Sequence, residues 1–178
     1  MPRILGIDPG SRKTGFGIID ANHHQIAHVI NGRLLVGDGS FPERLRAIFQ
    51  GLTDLIVRYQ PEILAIEKVF LHKNADSALK LGQARGAVIC AGVNQELAIA
   101  EYSATQIKKA VVGNGHAKKR QVQYMMTMIL SLSETLEEDA ADALACAVAH
   151  ANYTEAQRIN PKLPAGMRTS SKRSRYGR

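Results

Sequence analysis

The 178-residue sequence predicts a mixed α/β fold in which one sheet starts antiparallel and continues parallel. Three observations lead there. Residues 3–35 hold three apolar runs, joined by connections too short for a parallel crossover. An amphipathic helical stretch follows them. After it comes an apolar run that repeats the design of the first, each ending in a carboxylate.

Ile4-Leu5-Gly6-Ile7-Asp8 reads as a buried strand, closed by the Pro9-Gly10 turn. An acid at the end of a core strand is costly unless a cation meets it, although Asp before Pro-Gly is also an ordinary turn residue. That stretch alone leaves both readings open. Residues 14–20 form the second strand, with small residues alternating with Phe16, and a turn at Ala21-Asn22-His23-His24 leads into a third strand over 25–31, continuing toward Leu35. Residues 37–40 are a loop. Residues 41–59 are the clearest helix, because Leu45, Ile48, Phe49, Leu52, Leu55, Ile56 and Tyr59 recur at three- and four-residue steps. Gln60-Pro61 ends it.

Residues 63–67 (ILAIE) form the fourth strand, and the intervening helix makes it a parallel neighbour of the first through a right-handed crossover. A second helix covers 75–93, where Gly82, Gly86 and Gly92 permit close approach of another backbone. Residues 97–102 are the fifth strand. Ser103 and Gln106 have capping-box spacing and start a short helix that stops near Gly113. A helix over 118–132 carries Met125, Met126 and Met128 as core residues, and the last helix covers 137–152. The result is a five-stranded mixed sheet flanked by helices. From Asn160 on, Pro, Gly, Ser and Arg dominate. The expected division is a folded domain over 1–157 and a basic, disordered tail over 158–178.

Charge is unevenly placed. The net charge is +7, but from Arg158 onward there are seven Lys or Arg and no acid, so the rest is neutral overall. Within it, residues 68–120 carry nine bases against three acids, and residues 121–157 carry six acids and no Lys or Arg. A basic stretch beside an acidic one suits a polyanion-binding surface next to a cation site, or two solvated faces. Cys90 and Cys146 fall in apolar helical patterns and are expected to be buried free thiols. No apolar run is long enough to span a membrane, and the chain opens directly into a strand without a basic-then-apolar leader. A cytoplasmic location is expected.

Four acids carry the chemistry. Asp8 and Glu67 end strands that the topology makes neighbours, so both emerge at one sheet edge. Asp139 and Asp142 lie three apart on the last helix, on one face, among alanines and Leu144 that let this face approach the sheet closely. Singly, each has an ordinary explanation: a strand-end acid in solvent for Glu67, macrodipole charge for Glu137, Glu138 and Asp139. Jointly they form a set of hard oxygen donors without His or Cys at ligand spacing, which favours Mg2+ or Mn2+. Two such ions suit phosphodiester cleavage.

A resemblance then becomes specific. ILGIDPGS at 4–11, AIEKVF at 65–70, KNADSALKLGQARG at 73–86 and DAADA at 139–143 resemble the bacterial RuvC Holliday-junction resolvases, in order, over residues 3–152. The resemblance implies an RNase H-like fold, a homodimer, and symmetric metal-dependent cutting of two opposed strands of a four-way DNA junction in recombination and repair. It implies Asp8, Glu67, Asp139 and Asp142 as catalytic and metal-holding residues, with two Mg2+ or Mn2+ ions. Lys108 and Lys119 match lysines near the scissile phosphate, with Lys73, Lys109, Lys118 and Arg120 alongside. Phe70 matches an aromatic that stacks on junction bases, a role with a clear physical basis. The branch-migration complex RuvA–RuvB is the implied partner. The basic tail matches no pattern. Rival readings are a non-catalytic junction-binding module, an RNA-processing nuclease of the same superfamily, and an actin-like ATP-binding fold, for which this length leaves no room.

Overall fold

Alternation along the strands determines how the layers form. The computed structural model describes residues 1–22, 25–68 and 74–160, and the backbone of Met167–Thr169. The strands are β1 (Arg3–Asp8), β2 (Lys13–Ala21), β3 (Ile26–Leu35), β4 (Ile63–Glu67), β5 (Ala98–Tyr102) and β6 (Met167–Thr169). The helices are α1 (Phe41–Tyr59), α2 (Ala75–Asn94), α3 (Ala104–Val112), α4 (Lys119–Ile129) and α5 (Glu138–Ile159). The sheet order is β3-β2-β1-β4-β5-β6. β1–β2 and β2–β3 pair antiparallel, and β1–β4 and β4–β5 pair parallel.

Successive residues of a strand point to opposite faces. Leu5, Ile7, Phe16, Ile18, Leu64, Ile66 and Ile99 enter one core with Ile48, Leu52 and Ile56 of α1 and Ala84 and Val88 of α2. Ile4, Ile19, Ala65, Ala100 and Tyr102 enter the other, with Ile107, Val122, Met126 and the buried face of α5. Three layers result, with α1 and α2 on one side of the sheet and α3, α4 and α5 on the other.

The helix boundaries have local causes. The Ser40 main-chain N–H and hydroxyl both donate to the Glu43 carboxylate at 2.7 Å at the start of α1. At α3, Gln106 N–H donates to Ser103 Oγ and Ser103 N–H to Gln106 Oε1, the expected capping box. Gly113, with φ +82°, closes that helix in the left-handed region.

Several expectations need correction. A sixth strand is added to the expected five: Met167–Thr169 pairs antiparallel with β5, where the composition suggested only disorder. Three residues can gain main-chain bonds at a free sheet edge whatever their side chains. Cys146 is buried, but Cys90 is exposed on the outer side of α2. Met126 is buried while Met128 is exposed, because the helical repeat gives α4 one core stripe only. Gly82 and Gly86 meet nothing within 4 Å; Gly92 alone of the three α2 glycines packs closely, against Leu64 and Ile99. His150 lies in the core, its Nδ1 2.8 Å from Tyr102 Oη. No helix among the described residues is long and apolar enough to cross a membrane.

Candidate active site

Register brings the first two acids together. Ile7 stands opposite Ile66 on the parallel pair β1–β4, and Asp8 and Glu67 are each the next residue. Both therefore end neighbouring strands at one edge, on the face that Ile4 and Ala65 share with α5. Close packing brings in the other two. On its sheet-facing side α5 sets Ala143 and Ala147 over Gly6 and Leu144 over Gly17, so small residues bring the helix close. The strands answer with glycines: a Cβ at Gly6 would fall 2.0 Å from Ala143 O, and one at Gly15 would fall 2.0 Å from Asp139 O. The helix backbone lies directly on the sheet, and its first turns carry Asp139 and Asp142 to the strand ends.

The charges of the four acids interact. The Asp8 carboxyl is pushed up to about 7, first by burial, then by Asp142, Glu67 and Asp139, with Lys119 opposing. Glu67 is raised by burial and by Asp142, against Lys108 and Lys119. Asp142 is raised by burial, and the neighbouring Lys119 ammonium offsets part of that. Lys119 Nζ lies 3.2 Å from Asp142 Oδ2 and also donates to Glu138 Oε1. These contacts, Glu138 first, raise the Lys119 pKa. Cys146 lies beneath the cluster, its thiol raised by burial and then by Glu67, Asp8 and Asp142.

Glu67, Lys108, Lys119 and Asp142 line a cleft of about 130 Å³ with Ala104, Ile107 and Val122. Lys118 and Arg120 are exposed beside it, and Lys109 is exposed on α3; none of the three lines the cleft. Phe70 and Lys73 lie outside the described residues, as does His72. Among the described residues no three His, Cys or carboxylate side chains are gathered at ion-holding spacing. A cation suits the arrangement all the same. The donors are carboxylates, and their negative charge already holds the Lys119 ammonium against Asp142. Two contributors were not singled out from sequence: Glu138, which shares Lys119 with Asp142, and Arg85, whose Nε donates to Glu67 O at 3.2 Å. The available signal for Arg85 was a charged residue inside the long 73–86 segment, between small residues.

A mixed sheet with acids at the ends of its central parallel strands, completed by acids from a helix lying on it, defines the RNase H-like class. The family model described as crossover junction endodeoxyribonuclease RuvC matches residues 4–150. The chain belongs to the RuvC family. It is 57% identical over 150 residues to the crossover junction endodeoxyribonuclease RuvC of Citrifermentans bemidjiense, covering 84% of this chain and 92% of that protein. The same enzyme of Alkalilimnicola ehrlichii is 50% identical over 157 residues, covering 88% and 95%. The structure of Thermus thermophilus RuvC in complex with a Holliday junction substrate superposes with a TM-score of 0.83 at 30% identity, covering 88% of this chain and 96% of that one.

Proposed function

We propose that this chain is a structure-selective endonuclease that resolves four-way DNA junctions by cutting two opposed strands, in recombination and DNA repair. The observation that carries the reading is that Asp8 and Glu67 end paired strands at one sheet edge, with Asp139 and Asp142 on the α5 turns laid against the strands and Lys108 and Lys119 beside Glu67 and Asp142, in a RuvC-family chain. A purely DNA-binding module gains nothing from gathering acids where a polyanion must sit.

The four acids, Asp8, Glu67, Asp139 and Asp142, would hold Mg2+ or Mn2+, two ions per site. Such ions, when bound, stabilise charge on the phosphate and generate a nucleophile from water. The chain's own residues do the rest. Burial keeps the carboxylates poorly solvated, so they favour a cation strongly. Lys108 and Lys119 bind the phosphate from the α3–α4 side, and Lys118 and Arg120 extend that positive surface along the DNA backbone. Phe70 and Lys73 are proposed junction contacts on the segment that follows β4. The expected ends are 5′-phosphate and 3′-hydroxyl.

Symmetric cutting needs two sites related by a two-fold axis, so the working form is a homodimer. The outer face of α2 suits that contact. Leu79 is 68% and Val93 58% exposed, and Gly82 and Gly86 leave open space on the same heptad stripe. Cytoplasmic DNA is the proposed setting, with RuvA–RuvB as partner; the basic stretch after residue 157 completes α5 and adds β6 to the sheet edge.

The test is incubation with a synthetic four-way junction, with and without Mg2+, beside duplex and flap controls. Paired cuts on opposed strands of the junction alone, and only with metal, are expected. Equal cutting of duplex, or activity in chelator, contradicts the reading.

A further inference from the structure

The end of β4 has a ladder position that its neighbour cannot fill. Strand residues turn their N–H and C=O alternately to the two sides. Lys68 N–H reaches Tyr102 O on β5 at 2.7 Å, so the main chain of Glu67 turns the other way, toward β1. With Ile7 opposite Ile66, the donor in line for the Glu67 carbonyl is residue 9. That residue is Pro9, which has no N–H. Arg85 supplies the bond instead, its Nε donating to Glu67 O at 3.2 Å. Its Nη2 donates to Glu101 Oε2 on β5 at 2.7 Å.

The placement is favourable. Arg85 comes from α2, on the face opposite α5, so it holds the Glu67 main chain from behind the site and does not line the acid cleft. Its side chain is 20% exposed and that of Glu101 28%, so the pair is partly shielded from water. The rigid fork of a guanidinium can serve a carbonyl and a carboxylate at once, which an ammonium on a flexible stem does poorly.

We propose that Arg85 is a positioning residue for Glu67, standing in for the main-chain donor that Pro9 lacks, with Glu101 holding its guanidinium in place. The proposal rests on the reading of Glu67 as a metal-holding acid. A displaced strand end moves the carboxylate it carries, and small misplacements cost a site much of its rate.

The experiment compares wild type, Arg85→Met, Arg85→Lys and the double variant Pro9→Ala/Arg85→Met. It reads kcat on a four-way junction, junction affinity in chelator, Mn2+ binding without DNA, and thermal unfolding. Arg85→Met is expected to lose about tenfold in kcat and about threefold in Mn2+ affinity, with junction affinity kept within about twofold. Adding Pro9→Ala restores an N–H in line with the carbonyl, and the double variant should cut faster than Arg85→Met. Arg85→Lys keeps a cation opposite Glu101, so it decides the matter if Arg85→Met does not fold; it should also lose kcat and Mn2+ affinity. Wild-type kcat and Mn2+ affinity in the folded variants overturn the proposal. So does a loss confined to junction affinity, or a double variant no faster than Arg85→Met. Glu67→Gln separates the two readings. Wild-type cutting by Glu67→Gln sinks the site itself, while an inactive Glu67→Gln beside an unimpaired Arg85→Met sinks only the role of Arg85.

Discussion

Gly15 and Asp139 touch: a methyl group on the glycine would lie 2.0 Å from the main-chain oxygen of the acid. Strand β2 thereby sets how deep the first turn of α5 sits, and with it where Asp139 and Asp142 meet Asp8 and Glu67. Gly15→Ala must push α5 off the sheet, since backbone and not a flexible side chain is in the way. A loss of at least ~2 kcal/mol of stability is expected, with cleavage falling further than stability explains. Thermal unfolding and junction cleavage on the same preparation check this; unchanged cleavage in a folded variant contradicts it.

The Asp8 carboxyl gives a pH signature. Its value rises from 3.8 to about 7 on folding. Between those values the metal-free folded chain keeps a proton that the unfolded chain has released. Stability therefore falls as pH rises through that window and levels off above it. Glu67 and Asp142, also raised, slope the same way. Asp8→Asn should flatten most of this slope and stabilise the metal-free protein at pH 8 by roughly 2–4 kcal/mol. Urea unfolding in chelator at pH 5 and pH 8 measures it, and parallel slopes in wild type and variant would refute it. The same variant should bind junction and fail to cut.

Lys119 partly occupies the role of a cation, 3.2 Å from Asp142 Oδ2. Lys119→Met should destabilise the metal-free protein by about 1 kcal/mol, the scale of a half-exposed pair. Saturating Mg2+ should recover that loss, because ions that bind only the folded state stabilise by mass action. Melting temperatures with and without Mg2+ decide it. A deficit that persists at saturating Mg2+ argues against a shared role.

Tyr102 and His150 test the fold apart from the chemistry. Tyr102 Oη meets His150 Nδ1 at 2.8 Å in the core, and Tyr153 stacks on the Tyr102 ring at 5.3 Å between centroids. Tyr102→Phe removes this buried hydrogen bond and should cost ~1 kcal/mol. Junction cleavage at 25 °C should not change. Chemical denaturation and a cleavage assay read the two effects separately.

The four acids of the candidate site stood out because each sits where periodicity changes. Asp8 and Glu67 terminate apolar runs, and Asp139 and Asp142 interrupt an alanine-rich helix, positions where a charge has to be accounted for. The helix caps were legible at Ser103 and Gln106 for the same local reason. What sequence could not give was contact across layers. Gly6 and Gly15 read as ordinary strand glycines until α5 lies on them, while Gly82 and Gly86, which the helical pattern marks for close approach, face open space. Arg85 looked like one more base in a basic region, because its partners Glu67 and Glu101 come from two different strands. The β6 strand has no sequence signal, because edge pairing uses main chain, which a composition of Pro, Ser and Arg does not reveal.

The most direct measurement is anomalous diffraction from a crystal soaked in Mn2+. The account predicts Mn2+ among the carboxylates of Asp8, Glu67, Asp139 and Asp142, with the Lys119 ammonium moved away from Asp142. Ordered Mn2+ held by other residues, with these four side chains empty and Lys119 still on Asp142, would contradict it.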